Sequence, residues 1–308
     1  MSENWKVRLV RAALRTTQSI STEAAGWLAD RVFCTPPASS VPNSARPVLA
    51  AAQRSWVTVD GRRVAVWRWG RGPAVALVHG WGSRAARLAV FVEPLVASGF
   101  SVVAFDAPGH GESDGLHASG VQAARALRAV AAATPLYGVV AHSLGVAATV
   151  IALGDGLDLR RAVFIAPPSE LAEYAHRFAT QFGLKPRTLE AMMRRTEKRL
   201  RFSWDNLDLA VHASVLSGVD ILLFHDKDDP DVPWNNGARL AAAWPRATLI
   251  TTEGLGHHRI ARDPRIVAHA ARFMKLGIER LGGDASREWL DQELFERERR
   301  QRLVGVRP

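Results

Sequence analysis

The spacing of apolar residues changes period along the chain, and each change marks an element. Trp5, Leu9, Ala12, Ala13, Thr16 and Ile20 recur at helical spacing, with Lys6, Arg8, Arg11 and Arg15 between them, so residues 1–33 are predicted to be helical. Thr35-Pro36-Pro37-Ala38-Ser39-Ser40-Val41-Pro42-Asn43 then interrupts any regular element. From Trp56 the period becomes two. Trp56–Val59 and Arg63–Trp67 flank Asp60-Gly61, a dipeptide suited to the positive φ of a tight hairpin turn. A boundary is expected near residue 54, with 1–54 a helical extension plus a Pro/Ser-rich linker and 55–308 the main domain.

Beyond the hairpin, short apolar runs alternate with helical stretches. The runs are Ala74–Val78, Ser101–Phe105, Tyr137–Ala141, Ala162–Ile165, Ile221–Phe224 and Ala247–Thr251. Continuous apolar runs signal strands covered on both faces, hence a parallel sheet in an α/β fold. Between Ala166 and Val219 only helical periodicity is found, so a helical lid is expected at about 167–218. Its apolar residues include Tyr174, Phe178, Phe182, Met192 and Met193. The tail beyond Asp284 is predicted to be helical and highly charged, from Glu293 to Arg302.

Composition adds constraints. The 308 residues are 47% hydrophobic and 23% charged, the balance of a globular protein. The formal net charge is +10, which permits nucleic-acid, anionic-membrane or acidic-substrate partners without choosing among them. Its distribution is uneven. Residues 1–54 hold 7 basic and 3 acidic side chains, residues 177–201 hold 8 and 2, and the rest nearly balance. With no recognised binding module and a near-neutral core, no nucleic-acid partner is expected.

The lid's Arg187, Arg194, Arg195, Lys198, Arg199 and Arg201 are expected to form a solvated face. The alternative is that they favour acidic acyl substrates or anionic surfaces. For the helix at residues 5–20, the expectation is that its Trp5/Leu9/Ile20 face packs on the main domain. The alternative is weak peripheral contact with an anionic membrane. The single cysteine, Cys34, excludes an intramolecular disulfide and any multi-cysteine metal site. No apolar run approaches the ~18 residues of a membrane span. Charges from Arg8 to Asp30 interrupt any signal-peptide core, so a cytoplasmic location is expected.

Four segments carry candidate chemistry, each at the end of a predicted strand. In Ala141-His142-Ser143-Leu144-Gly145 a serine sits between small residues before an Ala-rich helix. A sharp strand-to-helix turn would hold its Oγ clear of the backbone, although a serine helix cap is the common alternative. In His79-Gly80-Trp81-Gly82 the glycines permit close backbone approach to a ligand. The N–H of Trp81 would there pair with that of Leu144 as an oxyanion hole. His225 through Pro233 contains four aspartates, for which a solvated turn is the plain alternative. A calcium loop starting at Asp226 fails, because its fifth position is Pro230 and its twelfth is Gly237. In Gly254-Leu255-Gly256-His257-His258 either histidine is free to reach a shared site. The chain order Ser, Asp, His is that of one serine-triad fold.

With these motifs, and with Phe105-Asp106-Ala107-Pro108-Gly109-His110-Gly111-Glu112-Ser113, the chain from about Trp56 to Leu281 resembles the α/β-hydrolase family. The resemblance implies a mostly parallel eight-stranded sheet flanked by helices, with the helical lid between strands six and seven. It implies Ser143 as nucleophile, Asp229 as acid and His257 as base. It also implies an acyl-enzyme route to hydrolysis of a small carboxylic ester or thioester. No metal or cofactor is needed for that chemistry. Ala141 departs from the family's first elbow glycine. Asp226 stands where the family has glycine and leaves a spare carboxylate, so Asp228 is a second choice for the acid. His79, His142, Phe178 and Met192 are candidates for a substrate pocket, with simple lid packing the alternative for the last two. An acyltransferase on the same triad, and a non-catalytic basic membrane-peripheral protein on this scaffold, are the rival readings.

Overall fold

The structure, a computed structural model, describes residues 5–279. The expected helix from Glu293 to Arg302 lies outside the described residues. Three helices precede the sheet: α1 (Trp5–Ile20), α2 (Thr22–Phe33) and α3 (Ala45–Ala50). Ser21 separates the first two, and its hydroxyl accepts a hydrogen bond from the Ala24 N–H as the N-cap of α2. The hairpin of β1 (Gln53–Val59) and β2 (Arg62–Trp69) turns at Asp60 and Gly61, both at positive φ.

The order then runs β3 (Ala74–Val78), α4 (Val92–Ala97), β4 (Ser101–Phe105), α5 (Gly120–Ala133), β5 (Leu136–His142), α6 (Leu144–Gly154) and β6 (Arg161–Ile165). Helices α7 (Ala172–Phe182) and α8 (Pro186–Leu200) and two short 3-10 segments follow, filling the interval before β7 (Asp220–Asp226). The described chain closes with α9 (Asn235–Ala243), β8 (Ala247–Thr252), α10 (Gly256–Arg259) and α11 (Pro264–Glu279).

One eight-stranded sheet has the order β1-β2-β4-β3-β5-β6-β7-β8. The pairs β1–β2 and β2–β4 are antiparallel, and β3 through β8 run parallel. The continuous apolar runs are explained by burial on both faces. Ala76, Val78, Val139, Ala141, Ala162, Phe164, Ile221 and Leu223 enter one core with α5 and α6. Their neighbours Val75, Leu77, Val140, Val163, Ile165, Leu222 and Phe224 enter the other, with α4 and α11.

The N-terminal helices pack on the insertion between β6 and β7. Gly26 of α2 lies so close to α8 that a Cβ there would approach the Ala191 Cβ to 2.7 Å. Nearby, buried Asp30 accepts from Thr196 Oγ1 at 2.7 Å and from Arg199 Nη2 at 2.7 Å, with Arg195 3.9 Å away. Arg194 lies 3.5 Å from Glu23. Arg187, Arg194, Arg195, Lys198, Arg199 and Arg201 are all exposed, as expected of a solvated face, and part of this basic surplus is also engaged in ion pairs with α2.

The side of α1 that meets the domain differs from the expected Trp5/Leu9/Ile20 face. Trp5, Leu9 and Ile20 are 64%, 59% and 81% exposed, whereas Leu14 is fully buried and Val7 and Val10 are partly so. The domain-facing side is the one Leu14 marks, because Arg11 and Gln18 lie toward it and bond the carbonyls of Gln181 and Gly183. Among the described residues no helix is long and apolar enough to cross a membrane.

Candidate active site

Ser143 joins β5 to α6 and stands at φ 54°, ψ −121°, in the left-handed half of backbone space that non-glycine residues avoid. Such a conformation costs of order 1–3 kcal/mol and persists only when its surroundings dictate it. They do so here through close backbone packing. The Ser143 N–H donates to Ile165 O at 2.9 Å, tying the turn to β6. A side chain at Gly145 would collide with the carbonyl oxygens of Val78 and His79. A Cβ at Gly80 would lie 3.0 Å from the Ser143 Cβ. The His79–Gly82 loop therefore passes directly against the serine. Leu144 opens α6, so its N–H is one of the helix donors without an intrahelical acceptor.

Two buried histidines shape that loop. His79 Nδ1 bonds Gly80 O at 2.8 Å, while its Nε2 accepts the Ala107 N–H at 2.9 Å. His110 Nε2 accepts the Gly82 N–H at 3.1 Å. Burial lowers both pKa values to about 4, and each ring is then the neutral acceptor these bonds need. In sequence His110 is one residue of the Asp106–Ser113 turn, and nothing local signals its bond to Gly82. Asp106 in the same turn accepts from the Ala85 and Glu112 N–H groups, a structural role. The Pro/Ser-rich linker covers the outer side: a Cβ at Gly82 would meet Pro37 Cγ at 2.7 Å.

After β7, the Asp229 carboxylate is buried and accepts from the Asp231 and Val232 N–H groups at 2.9 and 2.8 Å. Its Oδ2 lies 2.8 Å from His257 Nδ1 and 3.5 Å from His225 Nε2. Burial opposes its ionisation, but the His225, His257 and Val232 contacts outweigh burial and hold its carboxyl well below the usual range. With Nδ1–H given to Asp229, His257 keeps a lone pair on Nε2.

His142 anchors His257 from the other side. Its Nε2 donates to His257 O at 2.9 Å, and the two rings lie 4.7 Å apart. Burial, reinforced by neighbouring His257, lowers the His142 pKa to about 3. His257 thus packs on the residue that precedes Ser143.

The remaining acidic residues of the turn have other partners. Asp226 accepts from Thr252 Oγ1 at 2.6 Å and from the Asp228, Leu255 and Gly256 N–H groups. Burial opposes its charge, yet those bonds lower its pKa. Asp228, exposed, accepts from the Gly254 N–H at 2.8 Å. The glycine-to-aspartate departure at 226 therefore braces the loop that carries His257. The insertion reaches this region too, since Arg177 Nη1 of α7 donates to Asp231 O at 2.9 Å.

Of the other pocket candidates, Phe178 meets Phe33 edge-on and lies tilted against Phe182, and Met192 is fully buried in the same helical layer. Both engage in helix packing. Among the described residues, Asp231, His257 and His258 bring donor atoms within 4.8 Å of one another, close enough to share a cation.

A family model described as "Alpha/beta hydrolase family" matches residues 75–271. Similar solved structures include an esterase, Pf2001, from Pyrococcus furiosus, 19% identical with a TM-score of 0.59, the match covering 80% of this chain and 98% of that one. An esterase (EaEST) from Exiguobacterium antarcticum is 14% identical with a TM-score of 0.57, covering 72% and 100%. A bromoperoxidase from Bacillus anthracis is 17% identical with a TM-score of 0.57, covering 72% and 99%. At these identities the likeness is one of fold. No curated protein sequence matches the chain.

Proposed function

The chain belongs to the alpha/beta hydrolase family, and from that premise we propose that it is a serine hydrolase cleaving small carboxylic esters or thioesters through an acyl-enzyme on Ser143. The observation that carries this reading is the buried His257–Asp229 pair at 2.8 Å, packed through His142 against a serine at φ 54°. Fold-level likeness to two esterases supports it.

In this mechanism Ser143 Oγ attacks the acyl carbonyl while His257 Nε2 takes its proton. Asp229 stabilises the resulting imidazolium. The N–H groups of Trp81 and Leu144 receive the oxyanion, whose stabilisation lowers the barrier by several kcal/mol. Collapse expels the alcohol or thiol, which carries away the proton held on His257. Water, deprotonated by the same Nε2, then releases the acid. The insertion acts as a lid, tied to the acid loop through Arg177.

The test compares p-nitrophenyl acyl ester turnover by the wild type and Ser143→Ala. Loss of the nucleophile costs on the order of 10⁴-fold or more, and equal rates would sink the assignment. Fluorophosphonate labelling mapped to Ser143 gives an independent readout.

A further inference from the structure

Helix α1 is apolar on two sides. At 100° per residue, Val7, Val10, Leu14 and Thr17 share the side that meets the domain. Leu9, Ala12, Ala13, Thr16 and Ile20 span an arc of about 100° on the opposite side. All five are exposed. Arg8 and Arg15, also exposed, border that arc. The 16 residues of α1 contain Lys6, Arg8, Arg11 and Arg15 and no carboxylate. The helix is held firmly from behind, because Arg11 Nη2 bonds Gln181 O at 2.7 Å and Gln18 bonds both Gly183 O and the Lys185 N–H.

Charge and area narrow what such a face fits. A second copy of the chain would bring the same arginines together with no acidic partner on the helix. A 16-residue helix is about 24 Å long, and a strip of it about 10 Å wide offers roughly 240 Å², against about 800 Å² per partner in a stable protein interface. An anionic lipid surface needs neither a large patch nor a complementary fold. It takes an apolar stripe at the headgroup boundary and cations beside it.

We propose that α1 docks this protein on anionic lipid, its outward Leu9, Ala13 and Ile20 entering the headgroup boundary and Arg8 and Arg15 pairing with lipid phosphates. The helix lies in the plane of the surface, and the insertion behind it is carried to the same surface. In the sequence alone, membrane contact is the alternative to packing. The outward orientation of Leu9 and Ile20 reverses that preference.

The full-length protein is co-sedimented with phosphatidylglycerol/phosphatidylcholine vesicles and with pure phosphatidylcholine vesicles. Wild type is expected to bind the anionic vesicles and to release when the salt is raised to about 0.5 M, where exposed charges are screened. Leu9→Glu/Ile20→Glu and Arg8→Glu/Arg15→Glu are each expected to lower the partition coefficient about tenfold or more. Because all four positions are exposed, circular dichroism should show both variants folded, whether or not the hydrolase reading holds. Three results overturn the proposal: no binding by the wild type, equal binding to neutral vesicles, or double variants that bind as the wild type does. A dimer in sedimentation velocity that the Leu9/Ile20 variant dissolves also overturns it, assigning the face to a second copy.

Discussion

Asp229 Oδ2 lies 2.8 Å from His257 Nδ1, while the adjacent Asp228 turns its carboxylate to the Gly254 N–H, also at 2.8 Å. Two neighbouring carboxylates thus serve one loop in different ways, one meeting the imidazole and one the backbone before it. Asp229→Asn is expected to lower kcat/KM about 10⁴-fold, because the amide disfavours the His257 tautomer that leaves Nε2 free. Asp228→Asn is expected to cost less than about tenfold. Steady-state kinetics on a p-nitrophenyl ester checks both, and the reverse ranking would move the acid to position 228.

Acid stability follows from three neutral buried histidines. His79 and His110 have pKa values lowered to about 4 and His142 to about 3, burial being the main cause, against 6.5 for an ordinary histidine. The unfolded chain takes up protons that the folded one refuses. These groups leave stability unchanged above about pH 7 and reduce it as the pH falls through 6.5 toward 4. Three protons correspond to a slope approaching about 4 kcal/mol per pH unit. Below that window the depressed Asp229 carboxyl adds its own loss as it protonates. Urea unfolding at a series of pH values measures the slope, and His110→Asn should remove about a third of it.

The α2–α8 junction makes a separate prediction. Asp30 is 2% exposed and holds Thr196 and Arg199, and Arg199 retains some access to solvent. Asp30→Ala strands both partners. Severing a fully buried pair costs about 3–5 kcal/mol. The exposure of Arg199 reduces the expected loss to about 2–3 kcal/mol. The midpoint of urea unfolding reads it directly, and an unchanged midpoint would mean that this junction adds nothing to stability.

Much of the sheet was legible because a strand covered on both faces leaves an unbroken apolar run. Ala74–Val78 and Ser101–Phe105 coincide with β3 and β4 residue for residue. The insertion was legible as a gap in those runs. The orientation of α1 was not, since Leu9 and Leu14 mark two apolar sides, and only through-space partners at Gln181 and Gly183 decide which one faces inward. The roles of Asp226, Asp228 and Asp229 were equally opaque locally. Three acidic residues within four positions look alike in sequence, and their partners come from a loop about thirty residues away. His110 was hidden for the same reason, its bond to Gly82 crossing from one βα loop to the next.

The bond from Arg199 to Asp30 spans 169 residues, and this separation has a consequence for the order of events during synthesis. Helix α2 leaves the ribosome before its docking surface on α8, which is translated only after six strands of the sheet. Closing so long a loop is slow compared with forming local contacts. Pro37, trailing behind α2, lies against Gly82 of the β3 loop. The strands between α2 and α8 can therefore pair before α2 is able to seat on α8.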